Sequence, residues 1–242
     1  MLVTPGPTRL LISVRTAREA RLIADLPVGV IDVKEPRRGA LGCPTAKTLS
    51  DIRRAIADGP ALSVALGELT DPPPMDRLSK ALPGFHFAKL GLAGALKLPD
   101  WTQQWRDIVS RLPPQTIPVA VAYADWRECD APPPERVLAV ASELNCGVML
   151  FDTFDKTAGD LFHWIGDHEL TQWIERIHRH EMLVALAGSL AGESLDRCLE
   201  LQPDFMGVRG AVCRAGRSGT LCRKLAAALC ARLTATESPA VV

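Results

Sequence analysis

The sequence predicts an α/β fold, a single (β/α)8 TIM barrel, from three observations. Eight short apolar runs recur along the 242 residues, at a mean spacing of about 30 residues per strand–helix unit. Segments with helical periodicity separate these runs, and strands that alternate with helices indicate a parallel sheet. The runs are polar mainly at their carboxyl ends, as expected for parallel strands that are buried on both faces.

Each strand is assigned from a continuous run rich in Val, Ile, Leu and Ala, and each helix from apolar residues that recur at helical spacing. In chain order, the predicted strands are 10–14 (LLISV), 28–33 (VGVIDV), 61–66 (ALSVAL), 86–91 (HFAKLG), 117–123 (IPVAVAY), 147–152 (GVMLFD), 182–187 (MLVALA) and 205–209 (FMGVR). The clearest helices are 16–25, 45–57, 135–144, 169–180 and 220–233.

We expect one domain over residues 1–242, with a core from about residue 9 to residue 234 and short loose tails at 1–8 and 235–242. Two proline-rich loops, 71–74 and 131–134, follow the third and fifth strands, but the strand–helix order continues through both. The alternative fold is an open doubly wound sheet. No Gly-x-Gly-x-x-Gly sequence follows the first strand, so a dinucleotide-binding fold has little support.

Charge and cysteine content argue against several classes of function. The formal net charge is +0, so we expect no nucleic-acid or membrane-surface partner. Seven scattered cysteines without a Cys-x-x-Cys pair indicate a reduced, cytoplasmic protein, and we expect neither a signal peptide nor a membrane span. We expect no metal site, since His178 and His180, the possible metal pair, point away from each other on a helix. We also expect no cofactor.

Three lysines lie at or just beyond the ends of apolar strands, although the chain has only 7 lysines against 21 arginines. Lys34, Lys89 and Lys156 belong to the second, fourth and sixth strands. Because alternate strands of a barrel fill the same interior layers, these lysines are expected to converge at the carboxyl-terminal mouth. A lysine whose pKa is lowered can attack a carbonyl and form a Schiff base, whereas arginine stays protonated.

Two aspartates accompany the lysines. Asp32 lies two residues before Lys34 and points the same way, and Asp152 closes the sixth strand four residues before Lys156. Burial and repulsion among the ammonium groups should lower at least one lysine pKa, although the carboxylates oppose that shift. A lone lysine at a strand end is more often a solvated rim residue, and Asp32 alone is more often structural. The joint pattern favours one nucleophilic lysine and one lysine that moves protons.

The seventh and eighth strands run into glycine-containing turns, where this fold commonly binds phosphate. Gly188, Ser189, Arg209 and Gly210 are the candidate anion-binding residues, because glycine lets the backbone approach and the side chains donate hydrogen bonds. Residues 214–220 offer further donors. The alternative is that the glycines serve only as turn residues and that 214–220 is an ordinary loop before the last helix.

Three further candidate side chains lie at or just beyond the ends of the fifth and eighth strands. Tyr123, the only tyrosine, and Asp125 end the fifth strand and face the predicted mouth, where they could bind substrate or transfer protons. Cys213 could be a nucleophile, but no obvious base accompanies it, so a buried structural thiol is the simpler interpretation.

Six segments that end predicted strands match a known family in order. They are Ile31-Asp-Val-Lys-Glu-Pro-Arg-Arg-Gly39-Ala-Leu-Gly42, Ala88-Lys-Leu-Gly91, Ala122-Tyr-Ala-Asp125, Phe151-Asp-Thr153 with Lys156, Leu186-Ala-Gly-Ser189 and Gly207-Val-Arg-Gly-Ala211. Over about residues 10–225 the chain resembles the (5-formylfuran-3-yl)methyl phosphate synthase family of methanofuran biosynthesis, also called 4-(hydroxymethyl)-2-furancarboxaldehyde phosphate synthases.

The resemblance implies a barrel enzyme, a carbon–oxygen lyase acting on phosphates. It would condense two molecules of glyceraldehyde 3-phosphate, a small phosphorylated aldehyde, into a phosphorylated furan aldehyde with loss of phosphate and water. It also implies that Lys34 forms the Schiff base and that Lys89 is the acid/base lysine. Lys156, Asp32 and Asp152 would assist proton transfers and position the substrate.

Two other functions remain open from the sequence. One is a class I Schiff-base aldolase that acts on a sugar phosphate, which would share the lysine chemistry and the phosphate cradle. The other is a non-catalytic barrel that binds a phosphorylated metabolite. A homo-oligomer is compatible with all three functions.

Overall fold

The predicted barrel is confirmed by the computed structural model, which describes residues 6–56 and 59–236. Eight parallel strands close in the order β1 to β8, with β8 paired to β1. The strands are β1 Arg9–Val14, β2 Val30–Val33, β3 Ala61–Glu68, β4 Phe87–Gly91, β5 Ile117–Tyr123, β6 Val148–Asp152, β7 Leu183–Leu186 and β8 Phe205–Val208. Each predicted strand overlaps one of these.

Helices surround the barrel and connect successive strands. They are α1 Ala17–Arg21, α2 Ala46–Ala55, α3 Met75–Leu78, α4 Trp101–Ser110, α5 Pro134–Glu143, α6 Leu161–Trp164, α7 Asp167–Arg179, α8 Glu193–Glu200 and α9 Arg223–Thr236. The predicted helices at 45–57, 135–144 and 169–180 agree with α2, α5 and α7 within a few residues. Position 57 lies outside the described residues.

The helices predicted at 16–25 and 220–233 need correction. The first ends at Arg21, and residues 22–25 form turns before the chain enters β2. The second begins only at Arg223. Two short strands, β9 Cys213–Arg214 and β10 Thr220–Leu221, pair antiparallel and form a hairpin ahead of it.

Strand alternation divides the apolar residues into two layers. One layer lies between the strands and the helices and includes Ile12, Val64 and Phe151. The other fills the barrel interior and includes Val121, Leu150 and Phe205. Polar residues that share the interior face therefore meet at the end of the barrel where the strands finish.

The amino-terminal end of the barrel is closed by aromatic packing. The rings of Phe87 and Phe205 meet edge to face with centroids 6.0 Å apart. The guanidinium carbon of Arg9 lies 4.1 Å from the Phe205 centroid. This arrangement leaves the carboxyl-terminal end as the open face.

The predicted loose tails are only partly covered by the described residues, since 1–5 and 237–242 lie outside them. Within the described part, the Thr8 hydroxyl donates to the Pro203 carbonyl at 2.7 Å. Helix α9 extends to Thr236. Among the described helices, none combines the length and the apolar character needed to cross a bilayer.

Candidate active site

The three predicted lysines line one cavity at the carboxyl-terminal end of the barrel. Lys34, Lys89 and Lys156 all contribute to the wall of this space of about 210 Å³, which we call the central cavity. Asp152 also lines it, whereas Asp32 lies beneath the surface with 0% exposure. The structure thus brings together the five residues that the sequence singled out as catalytic.

Lys89 and Asp32 form a buried ion pair inside the barrel. The Lys89 Nζ lies 2.9 Å from Asp32 Oδ1, and the Ser13 hydroxyl donates to Asp32 Oδ2 at 2.9 Å. Burial raises the pKa of Asp32, but the ammonium groups of Lys89 and Lys34 outweigh that effect and hold it below its usual range. Asp32 is therefore a carboxylate that keeps a cation deep in the site.

Lys156 forms a second ion pair, with Asp152. Its ammonium group donates to Asp152 Oδ1 and, at 3.3 Å, to the Thr153 hydroxyl. Burial lowers the pKa of Lys156, although Asp152 opposes the shift. Lys156 lies in the loop after β6, and the Thr153 backbone N–H donates to the same carboxylate at 2.8 Å.

Lys34 differs from the other two lysines because it forms no ion pair within residues 6–56 and 59–236. Its side chain is nevertheless buried, with 9% of the residue exposed. Burial is the main reason that its pKa falls from 10.5 to about 7, and repulsion by Lys156 and Lys89 adds to the shift. The carboxylates of Asp152 and Asp32 oppose it. Lys34 can therefore be a neutral amine near neutral pH.

This shift predicts an unusual reactivity profile for Lys34. Only the neutral amine attacks an acylating reagent, so its labelling by acetic anhydride should rise about tenfold per pH unit below the pKa and level off above about pH 7. Labelling followed by peptide mass spectrometry measures this. Lys47, whose side chain is 84% exposed, provides the comparison in the same digest. Half-maximal labelling of Lys34 above about pH 9 would contradict the assignment.

Small residues on the last two strands make room for the central cavity. Ala185, Ala187 and Gly207 line it, and a Cβ built on Gly207 would lie 3.0 Å from the Ala187 Cβ. Larger side chains at these positions would fill the space beside Lys34. The cavity therefore extends from the lysines toward the turns after β7 and β8.

The turns after β7 and β8 present backbone donors to this end of the cavity. Gly188, Ser189 and Gly210 line it, and no described protein group accepts a hydrogen bond from their backbone N–H groups. Gly188 has φ +104°, and a Cβ there would meet the Thr153 backbone nitrogen at 3.2 Å, so the turn requires glycine. Ser189 also has positive φ, at 54°. We call these residues the backbone cradle; its geometry suits a phosphate group.

Arg209 has a different environment from the one expected of a phosphate ligand. Its Nη1 donates to Ser13 O at 2.8 Å and to Glu19 Oε2 at 3.1 Å, and its Nη2 donates to Glu19 Oε1. Its Nε donates to Arg217 O at 2.6 Å. Every guanidinium nitrogen therefore has a protein acceptor, and Arg209 ties the loop after β8 to the start of α1.

Arg217 is the better placed cation for a phosphate in the cradle. It lines the central cavity and donates from Nη2 to the Gly39 carbonyl at 3.2 Å. Burial lowers its pKa, and Asp152 opposes that shift. The sequence had marked its segment, 214–220, as a source of further donors.

Tyr123 and Asp125 lie behind the cavity wall and do not line it. The Tyr123 hydroxyl donates to Glu68 Oε1 at 2.6 Å, and the ring is fully buried against Phe154. Both Asp125 oxygens accept backbone N–H groups, from Phe154 at 2.7 Å and from Asp155 at 2.8 Å. Asp125 therefore positions the loop that carries Lys156, and the structure shows no anion-binding geometry for it.

Glu68 is a partly buried carboxylate that the sequence interpretation missed, and it holds Tyr123 without lining the central cavity. It ends β3, accepts from Tyr123, and receives the Ala93 N–H at 3.1 Å. Burial raises its pKa, since it outweighs both hydrogen bonds. A Cβ on Gly91 would lie 2.0 Å from Glu68 Oε2, so glycine is needed there. The predicted third strand stops at residue 66, whereas the observed β3 extends to Glu68, so the sequence interpretation did not place this carboxylate at a strand end.

The remaining candidate groups are engaged in structural contacts. His178 Nε2 lies 2.7 Å from Asp204 Oδ2, and His180 Nδ1 lies 2.9 Å from the Ser142 hydroxyl. Cys213 is buried, and burial raises its pKa. Across the described ranges, no group of three His, Cys, Asp or Glu side chains is arranged to hold a metal ion.

Comparison with known proteins connects this site to one family. The family model described as 4-HFC-P synthase matches residues 10–230. A (5-formylfuran-3-yl)methyl phosphate synthase from Methanopyrus kandleri is 31% identical over 233 residues, which cover 91% of this chain and 98% of that protein. The enzyme of the same name from Methanosarcina acetivorans is 29% identical and is covered over 92% of its length.

Solved structures share the fold at low sequence identity. Thiamine phosphate pyrophosphorylase from Pyrococcus furiosus gives a TM-score of 0.62 at 14% identity, covering 96% of this chain and 97% of that chain. Phosphoribosyl anthranilate isomerase from Thermus thermophilus gives 0.58 at 19% identity, covering 95% and 100%. These likenesses support the barrel and carry no conclusion about the reaction.

Proposed function

Because this chain belongs to the 4-HFC-P synthase family, we propose that it condenses two molecules of glyceraldehyde 3-phosphate into 4-(hydroxymethyl)-2-furancarboxaldehyde phosphate. The reaction would release inorganic phosphate and water and would serve methanofuran biosynthesis. The relatives are named as synthases, which supports an enzyme, and we infer that its chemistry is that of a carbon–oxygen lyase acting on phosphates.

One observation carries the mechanism. Lys34 is a buried amine with a pKa of about 7 and, among the residues that the structure describes, no carboxylate partner; it lines a cavity that ends in free backbone donors. Lys89 and Lys156 each hold an aspartate. An amine that attacks a carbonyl must be neutral, so Lys34 is the best nucleophile of the three.

The reaction would begin when Lys34 Nζ attacks the aldehyde carbon of the first triose phosphate and water leaves, which forms an imine. The imine acidifies the adjacent carbon, and loss of that proton gives an enamine. Expulsion of the phosphate on C3 then leaves an imine conjugated to an enol, whose C3 is nucleophilic. The second triose phosphate would first shift a proton to become its ketose isomer, dihydroxyacetone phosphate, and C3 of the enol would attack its carbonyl carbon. The free hydroxyl of the ketose closes the ring on C2 of the first triose, two water molecules leave to form the furan, and hydrolysis of the imine frees the product and Lys34.

Each of these steps needs a proton donor or acceptor close to the reacting carbons. Lys89, held by Asp32, supplies an ammonium beneath Lys34 that can protonate a leaving hydroxyl and recover its proton later. Lys156 and Asp152 form an acid and base pair on the other side of the cavity. The backbone cradle and Arg217 would hold the phosphate of one triose.

A second candidate, a class I aldolase acting on a sugar phosphate, is supported by the same lysine and cradle. The products separate the two functions, because an aldol product keeps both phosphates whereas furan formation releases one. The non-catalytic alternative has less support, since all three lysines and Asp152 line one cavity and Asp32 pairs with Lys89 beneath its surface.

The experiment is borohydride trapping with glyceraldehyde 3-phosphate, followed by intact mass and peptide mapping. We expect a reduced adduct on Lys34, together with released phosphate and a furan absorbance in the untrapped reaction. An adduct without phosphate release would favour the aldolase. No adduct on any lysine, where a known Schiff-base aldolase is trapped in parallel, would contradict the covalent mechanism.

A further inference from the structure

A second cavity lies beside the central cavity on the carboxyl-terminal face, and Lys34 lines both. It encloses about 230 Å³ between the loop after β2 and the start of α2. We call it the side cavity. Its polar wall consists of Arg15, Glu35, Arg37, Arg38, Thr45 and Thr48.

The charge of the side cavity is strongly positive. Three guanidinium groups face one carboxylate, that of Glu35. Glu35 Oε1 is already occupied, since it accepts the Arg37 backbone N–H at 3.1 Å and lies 3.7 Å from Arg15 Nε. Arginine forks fit phosphate oxygens better than any other side chain, so this excess of guanidinium groups favours a phosphate monoester.

Several donors in the side cavity lack a protein acceptor. In the described part of the chain, no acceptor is found for the Arg37 guanidinium, and Arg38 uses only Nη1, on the Cys43 carbonyl at 3.2 Å. The Lys34 amine, on the wall shared with the central cavity, also has no partner. Arg37 and Arg38 are exposed and can move toward a ligand, whereas Lys34 is a buried donor without an acceptor on the wall of the same cavity, which favours an anion there.

The start of α2 adds hydrogen-bond donors to the same space. Thr45 caps this ten-residue helix by accepting the Thr48 N–H at 3.1 Å, and the two hydroxyls lie 2.9 Å apart. A hydroxyl of this pair can turn to donate to an anion. The amino-terminal end of α2, which carries the positive end of the helix dipole, lies at the same cavity as the guanidinium groups.

The side cavity and the central cavity, which contains the backbone cradle, have separate walls that share Lys34. Arg217, which lines the central cavity, donates to Gly39 in the loop after β2. Arg15, which lines the side cavity, donates to Ser218 O at 3.1 Å in the loop after β8. These two contacts join the loops, so two phosphate groups could be held at once with the reacting carbons near Lys34.

We propose that the side cavity is a second phosphate-binding subsite, which holds the phosphate of the second triose phosphate while the first occupies the backbone cradle. This assignment rests on the proposed condensation for the identity of the ligand. The recognition itself requires only a phosphate monoester or inorganic phosphate. The subsite explains how two substrates with the same charged group can bind around one lysine without competing for one anion site.

The direct test counts binding sites for inorganic phosphate by equilibrium dialysis on the full chain. We expect two sites in the unmodified protein. The double variant Arg37→Gln/Thr48→Val should weaken one site by about tenfold or more, because it removes a guanidinium and a hydroxyl donor. Arg217→Gln should weaken the other site. Arg21→Gln is the matched control, since Arg21 is exposed on α1 and lines neither cavity.

The kinetic test uses the same variants. For Arg37→Gln/Thr48→Val we expect the KM for glyceraldehyde 3-phosphate in product formation to rise about tenfold, while the borohydride adduct on Lys34 forms to the same extent. One phosphate site in the unmodified protein, or two unchanged sites in the double variant, would overturn the subsite. Two phosphate sites without furan formation would keep the subsite and remove the proposed reaction. Furan formation with only one phosphate site would keep the proposed reaction and remove the subsite.

Discussion

Lys34→Arg should abolish furan formation, lowering kcat by about 10⁴-fold or more. Arginine keeps the length and positive charge of the side chain, but it stays protonated and cannot form an imine. The expected result in borohydride trapping is no adduct at this position. The measurements are initial rates of phosphate release and the intact mass after reduction.

The control for this variant tests whether the fold and the anion sites survive. Lys34→Arg should still bind inorganic phosphate, because the backbone cradle and the side-cavity arginines are unchanged. Lys47→Arg makes the same exchange on the exposed surface of α2 and should leave kcat unaltered. A Lys34→Arg variant that retains more than about a hundredth of the activity would assign the nucleophile to another lysine.

Lys89→Met should lower both stability and activity, for separable reasons. Removing the ammonium leaves Asp32, which has 0% exposure, as a buried carboxylate without its partner at 2.9 Å. Breaking such a pair from one side costs about 3–5 kcal/mol of the free energy of unfolding. Loss of the acid/base group should lower kcat by about 10²–10⁴-fold. Urea unfolding and initial rates measure the two effects.

The double variant Lys89→Met/Asp32→Asn separates the structural from the chemical role. Removing both charges eliminates the uncompensated carboxylate, so we expect most of the lost stability to return. The Ser13 hydroxyl can still bond to the amide. Activity should stay as low as in Lys89→Met, because no proton carrier is restored. If activity returned with stability, Lys89 would be a structural cation only.

The strand pattern could predict the fold and the convergence of the residues that we propose to be catalytic. Continuous apolar runs and alternation on each strand place Asp32 and Lys34 on one face, and the same alternation puts Lys89 and Asp152 on the interior face. These placements depend on local sequence alone. They can be predicted without knowing any contact between residues that are distant in the sequence.

The roles of individual polar groups depended on contacts that the sequence does not show. Arg209 follows the eighth strand, where a phosphate-binding residue is expected, but its carboxylate partner Glu19 lies 190 positions away in the sequence. Asp125 accepts hydrogen bonds from backbone N–H groups, which every residue except proline carries, so its side-chain partners cannot be read from the sequence. The three lysines are equivalent in the sequence, and only the positions of Asp32 and Asp152 leave Lys34 unpaired.

The aromatic closure at the amino-terminal end has a kinetic consequence. Phe87 and Phe205, with Arg9 stacked beneath, leave the barrel interior open at one end only. In the proposed reaction, both triose phosphates would therefore enter, and the furan and inorganic phosphate would leave, through the same opening at the carboxyl-terminal end. A product that stays bound would block entry of the next substrate, so we expect inorganic phosphate to inhibit the reaction.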